Sequence, residues 1–555
     1  MRPSDYPPPW SDAEAVTAPG DVEPIEVGVL VVGGGPAGLA AAIRLGQLIA
    51  SDPETAEALG DVPVAVLEKG KAPGSHLLSG AVVDPDPLWR LLEGVRAPGD
   101  LPTYGQVPGE QVLLLTSDRA VRLPVPPTMR NHGNVVVSVS QLGRFLAEVA
   151  EEGGAVILPE TVGQSLLVAD DAVVGVRTGD KGRGREGEEL PRFEAGSDLR
   201  AKVTILAEGT QGHLSLAAFD RFGLAGSSPQ TWALGVKEVW RVPRPLREVI
   251  HTMGWPLRPA ARYREFGGSF VYPMGDDLVT IGMVVGLDYR DASVSIHDLL
   301  QQLKTHPRIR PILQGGERIA WGAKTIPEGG FVALPRQLHA PGLLVVGDSA
   351  GLVNVPALKG IHYAVESGRL AAEAAWRSLT GGDLSSYDTA LRSSFVWRDL
   401  RAVRNMRQAF GAGFWRGSAL AGLATVTGGR FPPGNNPTES DASHEIFSGD
   451  GASSYPAPDG ALTFDKLSSV FLSGNRTRDD QPSHIRVATR VPAELGDLWV
   501  NMCPAQVYET GPAGEDGLVE VAVTPSNCVQ CGAITAKGGR LTPPEGGSGP
   551  EYTLT

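Results

Sequence analysis

Cysteine is scarce in this chain of 555 residues: there are three, Cys503, Cys528 and Cys531. Three cysteines in so long a chain do not make a disulfide framework, so they point to a local site in a reducing compartment. Positive charge is also short. Lys and Arg number 49 against 63 Asp and Glu, giving a formal charge of -14 with no basic run, which excludes a general affinity for nucleic acid. No apolar run reaches the roughly 18 residues a membrane span needs, so no bilayer-crossing helix is expected. The opening stretch MRPSDYPPPWSDAEAV has no apolar core segment and no Arg/Ser-rich, acid-poor amphipathic pattern. Neither a secretory signal nor a transit peptide is therefore expected there. What remains is ordinary for a globular protein. The hydrophobic content is 42%, and the length suits roughly two to four domains.

Residues 1–24 are Pro-rich and acidic and read as a loose arm. Val27 to Val32 is an apolar, β-branched strand, and Pro36 to Ile49 an Ala-rich helix. Val62 to Gly70 is the next strand, completing a βαβ unit that opens a parallel sheet. Residues 72–134 carry many Pro and Gly and read as excursions from that sheet. A helix is expected at about 140–152, a charged loop over 179–200, and an antiparallel sheet over 231–335 containing the helix SIHDLLQQLKTHP. GLLVVGDSAGLVN is a last parallel strand, with a helix after it.

In GGGPAG, Gly33, Gly35 and Gly38 fit G-x-G-x-x-G between strand and helix. Gly33 permits the tight turn, Gly35 lets the backbone approach a pyrophosphate, and Gly38 lets helix and strand pack closely. The first helical turn offers free N–H groups and a positive dipole end to phosphates. Glu68 ends the second strand, where its carboxylate can accept from an adenosine ribose. In VVGDSAGLVN, Gly347, Asp348 and Gly351 sit between an apolar strand and a helix start. This resembles the second flavin fingerprint of glutathione-reductase-type FAD enzymes, in which the aspartate holds the ribityl chain. VTILAEGTQG resembles their middle motif. The order of the three favours FAD over NAD, and no second glycine motif marks a nicotinamide domain.

Cys503 lies in NMCPAQVYE, and SNCVQCGAITAKGG carries Cys528 and Cys531. Cys-Pro flanking and C-x-x-C suit iron–sulfur ligation. A structural zinc site and inert buried thiols are the alternatives on spacing alone. The stretches LEKGKAPGSHLLSGAVVDP, TMGWPL, FGGSFVY, HPRIRPILQGGERIAWGAK, NVPALKGIHYA, LTFDKLSSVFLSG, CPAQVYE, NCVQC and PPEGGSGPEY together resemble the electron-transfer flavoprotein–ubiquinone oxidoreductase family from Val27 to Tyr552. The resemblance implies a glutathione-reductase-type α/β FAD fold with an inserted antiparallel-sheet quinone domain and a small ferredoxin-like cysteine domain. On this division the FAD domain is 25–90, 135–230 and 336–400, and the quinone domain 91–134 and 231–335. A membrane-contact segment takes 401–440 and the iron–sulfur-type domain 441–555.

One departure stands out. The family pattern is C-x-x-C-x-x-C, and here Ile534 occupies the last position, followed by Thr535, a poor ligand. Three thiolates could carry a 3Fe–4S cluster, or a 4Fe–4S cluster with a non-cysteine fourth ligand, or the site could be empty. The resemblance places quinone, ubiquinone or menaquinone, at Gly267 and Gly268, where bare backbone admits a flat ring. A β-bulge is the alternative there. Residues 409–431 carry Phe410, Phe414, Trp415, Leu420, Leu423 and Phe431 with Arg416 and Arg430, a monotopic membrane signature whose alternative is a core helix. His76 follows the ribose strand as a candidate flavin neighbour. The resulting expectation is a peripheral flavoprotein at the cytoplasmic face of a bacterial-type inner membrane. It would pass electrons from electron-transfer flavoprotein through FAD, and through any cluster, to quinone. No catalytic acid or base is assigned. The alternatives are an FAD-dependent monooxygenase or reductase of a lipid-like substrate, and an electron-transfer adaptor without turnover.

Overall fold

A computed structural model describes residues 1–21, 23–449 and 455–555. Val22, in the expected arm, and 450–454, in the expected C-terminal domain, lie outside the described residues. The strand Ile25–Val32 is central to a nine-stranded sheet. It pairs in parallel with Val64–Leu67 on one side and Asp198–Leu206 on the other. Val156–Leu158 and Leu343–Val345 extend the parallel region. These strands are continuous apolar runs because helices cover them on both faces. The helix Pro36–Ser51 crosses the helix Ile361–Leu379 so closely that a Cβ at Gly368 would lie 2.0 Å from the Ala37 carbonyl oxygen.

The second sheet has seven strands. Their order is Glu317–Pro327, Trp232–Arg241, Leu278–Gly286, Gly267–Met274, Val249–Gly254, Glu110–Leu115 and Ala120–Leu123. It is not wholly antiparallel: Val249–Gly254 and Glu110–Leu115 run parallel. The Pro/Gly-rich 72–134 region therefore supplies two strands as well as loops, because its apolar run VLLL finds an edge of this sheet. The helix Ile296–Lys304 packs on the sheet's outer face.

Two local readings are corrected, and the C-terminal region gains its detail. The arm is docked. Asp12 pairs with Arg540 at 2.6 Å, Val16–Thr17 joins the first sheet beside Gly163–Ala169, and Ala15 is fully buried. The 179–200 segment is a hairpin of Lys181–Arg183 with Glu189–Glu194, running into the strand that starts at Asp198. Its polar side chains are exposed, so the strand pattern has no apolar face to betray it. The C-terminal region forms a three-stranded antiparallel sheet of Arg490–Pro492, Leu518–Val523 and Tyr508–Thr510, packed on the helix Ala493–Met502.

Pleating sends consecutive residues of a strand to opposite faces. In Trp232–Arg241 this separates Lys237 from Glu238, both buried. Glu238 faces outward and accepts from Lys304 Nζ at 2.8 Å, Arg318 Nη1 at 3.2 Å and Trp240 Nε1 at 2.8 Å. Lys237 faces the first sheet's domain, and between the two domains lies the cavity described next.

Candidate cofactor cavity and thiol site

A cavity opens between the carboxyl ends of the parallel strands and the inner face of the seven-stranded sheet. Gly33, Gly35, Glu68, His76 and Asp348 line it, as do Lys237, Lys324 and Lys359. Gly33 has φ +112°, and a Cβ there would sit 2.3 Å from the Ala207 carbonyl oxygen. A Cβ at Gly38 would sit 2.1 Å from the Gly33 carbonyl oxygen. At Gly35 the surroundings are open, with Leu77 the sole near atom at 3.7 Å. The first and third glycines thus build the turn, and the second leaves room for a ligand at the helix start. Glu68 accepts from the backbone N–H of Gly34 at 3.2 Å and of Gly70 at 2.6 Å. Burial pushes its carboxyl above the usual range.

Gly347 and Gly351 have φ of +61° and +74°, bracketing the turn Gly347–Ala350 that presents Asp348 to the cavity. Burial raises Asp348 to about 6. His76 Nδ1 and both amide atoms of Gln211 are buried without a protein partner, and both residues line the cavity. Such orphans are costly in an empty protein and suit a polar ligand. Glycine turn, buried acid, second acid and orphaned donors together fit FAD.

Gly267 and Gly268 begin a strand, but neither lines the cavity; Phe270, Tyr272 and Val284 do. Cβ atoms there would sit 2.1 Å from the Val284 and 2.5 Å from the Thr252 carbonyl oxygens, so close strand packing requires both glycines. Phe266, just before them, packs against Phe410 with ring centroids 4.8 Å apart and the rings tilted, and Phe414 N–H donates to the Pro259 carbonyl at 3.2 Å. The glycine strand therefore begins near the turn Phe410–Ala412 that leads into the helix Phe414–Val426. That helix buries Gly417 and Ala424 and exposes Trp415, Leu420, Leu423 and Val426, with Phe431 exposed beyond it. A core helix does not look like this. No described helix is long and apolar enough to cross a membrane.

Cys503 and Cys528 are buried and Cys531 half-buried, near enough for their charges to interact. Backbone N–H groups of Ala505, Gln506 and Val507 point to the Cys503 sulfur, and Gln530 N–H donates to Cys528 Sγ at 3.3 Å. Burial pushes all three thiols up, Cys531 to about 12, with the neighbouring thiolates adding to the shift for Cys528 and Cys531. Among the described residues no three His, Cys, Asp or Glu side chains could hold one metal ion. That argues against mononuclear zinc. A cluster spreads its thiolates over separate irons and surrounds its sulfurs with N–H groups. Ile534 is buried and cannot ligate, and the Thr535 hydroxyl accepts from Leu541 N–H at 3.0 Å. The donor set fits a cluster held by three thiolates and does not fit the four-cysteine form.

The thiol loop abuts the cavity. Lys69 Nζ donates to Gln530 Oε1 at 2.8 Å, Lys324 Nζ to the Gln530 carbonyl at 3.1 Å, and the Thr325 hydroxyl to the Cys531 carbonyl at 2.8 Å. The sequence does not flag Lys69, Gln211, Lys237, Lys324 or Gln530. A lysine inside the apolar strand ALGVKEVW was the available signal.

Residues 232–326 match the family model "ETF-QO, ubiquinone-binding", and 460–553 match "Electron transfer flavoprotein-ubiquinone oxidoreductase, 4Fe-4S". A mitochondrial electron transfer flavoprotein-ubiquinone oxidoreductase of Arabidopsis thaliana is 40% identical over 96% of this chain and 85% of its own length. The chain belongs to the electron transfer flavoprotein–ubiquinone oxidoreductase family. The Homo sapiens member is 37% identical over 95% of this chain and 89% of its own. Among solved structures, a geranylgeranyl bacteriochlorophyll reductase-like protein of Thermoplasma acidophilum superposes with TM-score 0.54 at 18% identity, covering 74% of this chain and 97% of its own. The flavin-dependent brominase Bmp2 gives 0.51 at 16% identity, covering 73% of this chain and 94% of its own. At these identities the likeness is one of fold.

Proposed function

We infer that this chain is an oxidoreductase of respiratory electron transport, taking electrons from reduced electron-transfer flavoprotein and delivering them through FAD to membrane quinone. The observation that carries the reading is a single cavity in which the glycine turn, Glu68 and Asp348 meet the thiol loop at Gln530, in a chain matching named family members nearly end to end. When bound, FAD supplies the exchange between electron donor and two-electron acceptor. The chain's residues position it. The open backbone at Gly35 and the first turn of the helix from Pro36 would receive the pyrophosphate, Glu68 the adenosine ribose, and Asp348 the ribityl hydroxyls. His76 and Gln211 offer their unpartnered atoms to the same ligand. Phe270, Tyr272 and Val284 on the inner face of the seven-stranded sheet would help exclude water from the ring.

Cys503, Cys528 and Cys531 would hold a one-electron iron–sulfur carrier on three thiolates. The ferredoxin-like assignment of this segment rests on those cysteines. Quinone would approach where the turn Phe410–Ala412, which leads into the helix Phe414–Val426, meets Phe266 at the start of the glycine strand. The exposed apolar residues of that helix seat the protein in one leaflet, at the cytoplasmic face of a bacterial-type inner membrane. The domain division follows the two sheets and the thiol segment. A monooxygenase would not need the thiol segment, which argues against that alternative.

The test is anaerobic purification with flavin, iron and sulfide analysis, followed by quinone reduction with reduced electron-transfer flavoprotein as donor and NADH as control. Stoichiometric FAD with flavoprotein-dependent turnover is expected. Turnover with NADH alone, or flavin-free protein that takes up no FAD, refutes the reading.

A further inference from the structure

Lys237 is 1% exposed on a central strand of the seven-stranded sheet. Among the described residues its ammonium makes one hydrogen bond, from Nζ to the Ser79 carbonyl at 2.7 Å. A lysine has three donors, so two are unspent, and the residue lines the cavity. No carboxylate among the described residues forms an ion pair with it, whereas Glu238, its neighbour in sequence, is matched by two cations on the other face. A buried ammonium without a counter-charge is unstable unless a ligand supplies the charge. Burial alone brings Lys237 to about 7.

The surroundings say which part of the ligand is involved. Register pairs Lys237 with Gly282 on one side and Gly322 on the other, and Gly235 with Lys324. Paired residues share a face. The Phe270 ring lies over Gly282, and Leu78 and Tyr552 lie over Gly322, so Lys237 and Lys324 rise from an inner face otherwise covered by apolar and aromatic side chains, with Gly235 bare beside Lys324. With the pyrophosphate at Gly35 and the ribityl chain at Asp348, the ring of FAD would reach the part of the same cavity that Gly235, Lys237 and Lys324 line.

We propose that Lys237 compensates the negative charge of the reduced flavin ring and holds that ring in its anionic form. The inference rests on FAD occupying the cavity. One electron from the donor flavoprotein takes the neutral oxidised ring to a monoanion. With a cation beside it, the ring keeps that charge and takes no proton; without one, it takes a proton from water and becomes neutral. Lys237 thereby favours arrival of the first electron and leaves the ring ready to pass it on without a proton transfer.

The experiment compares wild type with Lys237→Met, Lys237→Gln and Lys237→Arg. Bound FAD is measured first, then each protein is titrated anaerobically with reductant in the absence of quinone, following the visible spectrum and the potential of the first electron. Wild type and Lys237→Arg are expected to pass through the red anionic spectrum. The neutral variants are expected to show the blue neutral spectrum, or a first-electron equilibrium weakened at least tenfold, roughly 59 mV for one electron. Neutral variants that hold FAD and match wild type overturn the proposal, as does a wild type that turns blue. If neither neutral variant holds FAD while Lys237→Arg does, the charge requirement stands. Loss of FAD from all three assigns Lys237 to packing on Ser79 and overturns it. Wild type without FAD refutes the cavity reading instead.

Discussion

The helix Phe414–Val426 makes a quantitative prediction about the membrane. Its 13 residues rise about 20 Å, short of the roughly 30 Å hydrocarbon core, so a membrane-seated helix would have to lie in the interface plane. Leu423 is 43% and Val426 86% exposed. Full transfer of such a side chain from water is worth about 1.5–3 kcal/mol. Scaled by exposure, that gives about 1 kcal/mol for Leu423 and about 1.5 kcal/mol for Val426. The double substitution Leu423→Ser/Val426→Ser should therefore cost about 2.5 kcal/mol, a roughly 50–100-fold loss in vesicle partitioning. Fold and flavin content should be untouched, because neither side chain supports the interior. The assay is flotation with liposomes of mixed neutral and anionic lipid, across a range of lipid concentrations. Undiminished flotation of the double variant, or no flotation of wild type, would refute the reasoning.

Replacing Cys531 with Ala should bring iron and sulfide to background while FAD is retained, read by metal analysis and low-temperature EPR. Retained stoichiometric iron would remove Cys531 from the ligand set. Glu238→Ala leaves Lys304 and Arg318 buried without their acid. It should cost about 3–5 kcal/mol in denaturant unfolding, against little for an exposed control such as Asp118→Ala. Gly38→Ala puts a Cβ 2.1 Å from the Gly33 carbonyl oxygen, so the purified variant should have lost FAD in absorbance and supernatant analysis. Asp348, at about 6 when folded, lies above its unfolded value. Its contribution to the stability of flavin-free protein is thus full below about pH 4 and is lost as pH rises through 6. Ribityl hydroxyls donating to the carboxylate reverse that trend, so melting curves with and without FAD should diverge across this window.

The nucleotide unit was legible because every signal in it is local. Strand, glycine turn, helix and Glu68 follow within about 45 residues, and each obeys its own periodicity. The family likewise announced itself through ordered stretches of sequence. What was not legible depended on partners far along the chain. The strand Glu110–Leu115 has its place because Val249–Gly254 pairs with it. The arm docks because Arg540 receives Asp12. Lys237 stands out as a lysine inside the apolar run ALGVKEVW, but only the pleat shows that it is aimed into the cavity while Glu238 is not. The glycines at 267 and 268 carry a second reason that the sequence does not show: a Cβ at either would meet a carbonyl oxygen of a neighbouring strand.

The strand Glu317–Pro327 touches two centres at once. Lys324 stands in the flavin cavity and grips the Gln530 carbonyl, while its neighbour Thr325 binds Cys531 through both backbone N–H and hydroxyl, each at 2.8 Å. Cavity wall and thiol loop are therefore fastened to one rigid rod. A tilt of that rod would carry both walls together, so the spacing between cavity and thiol loop is set by two adjacent residues, Lys324 and Thr325.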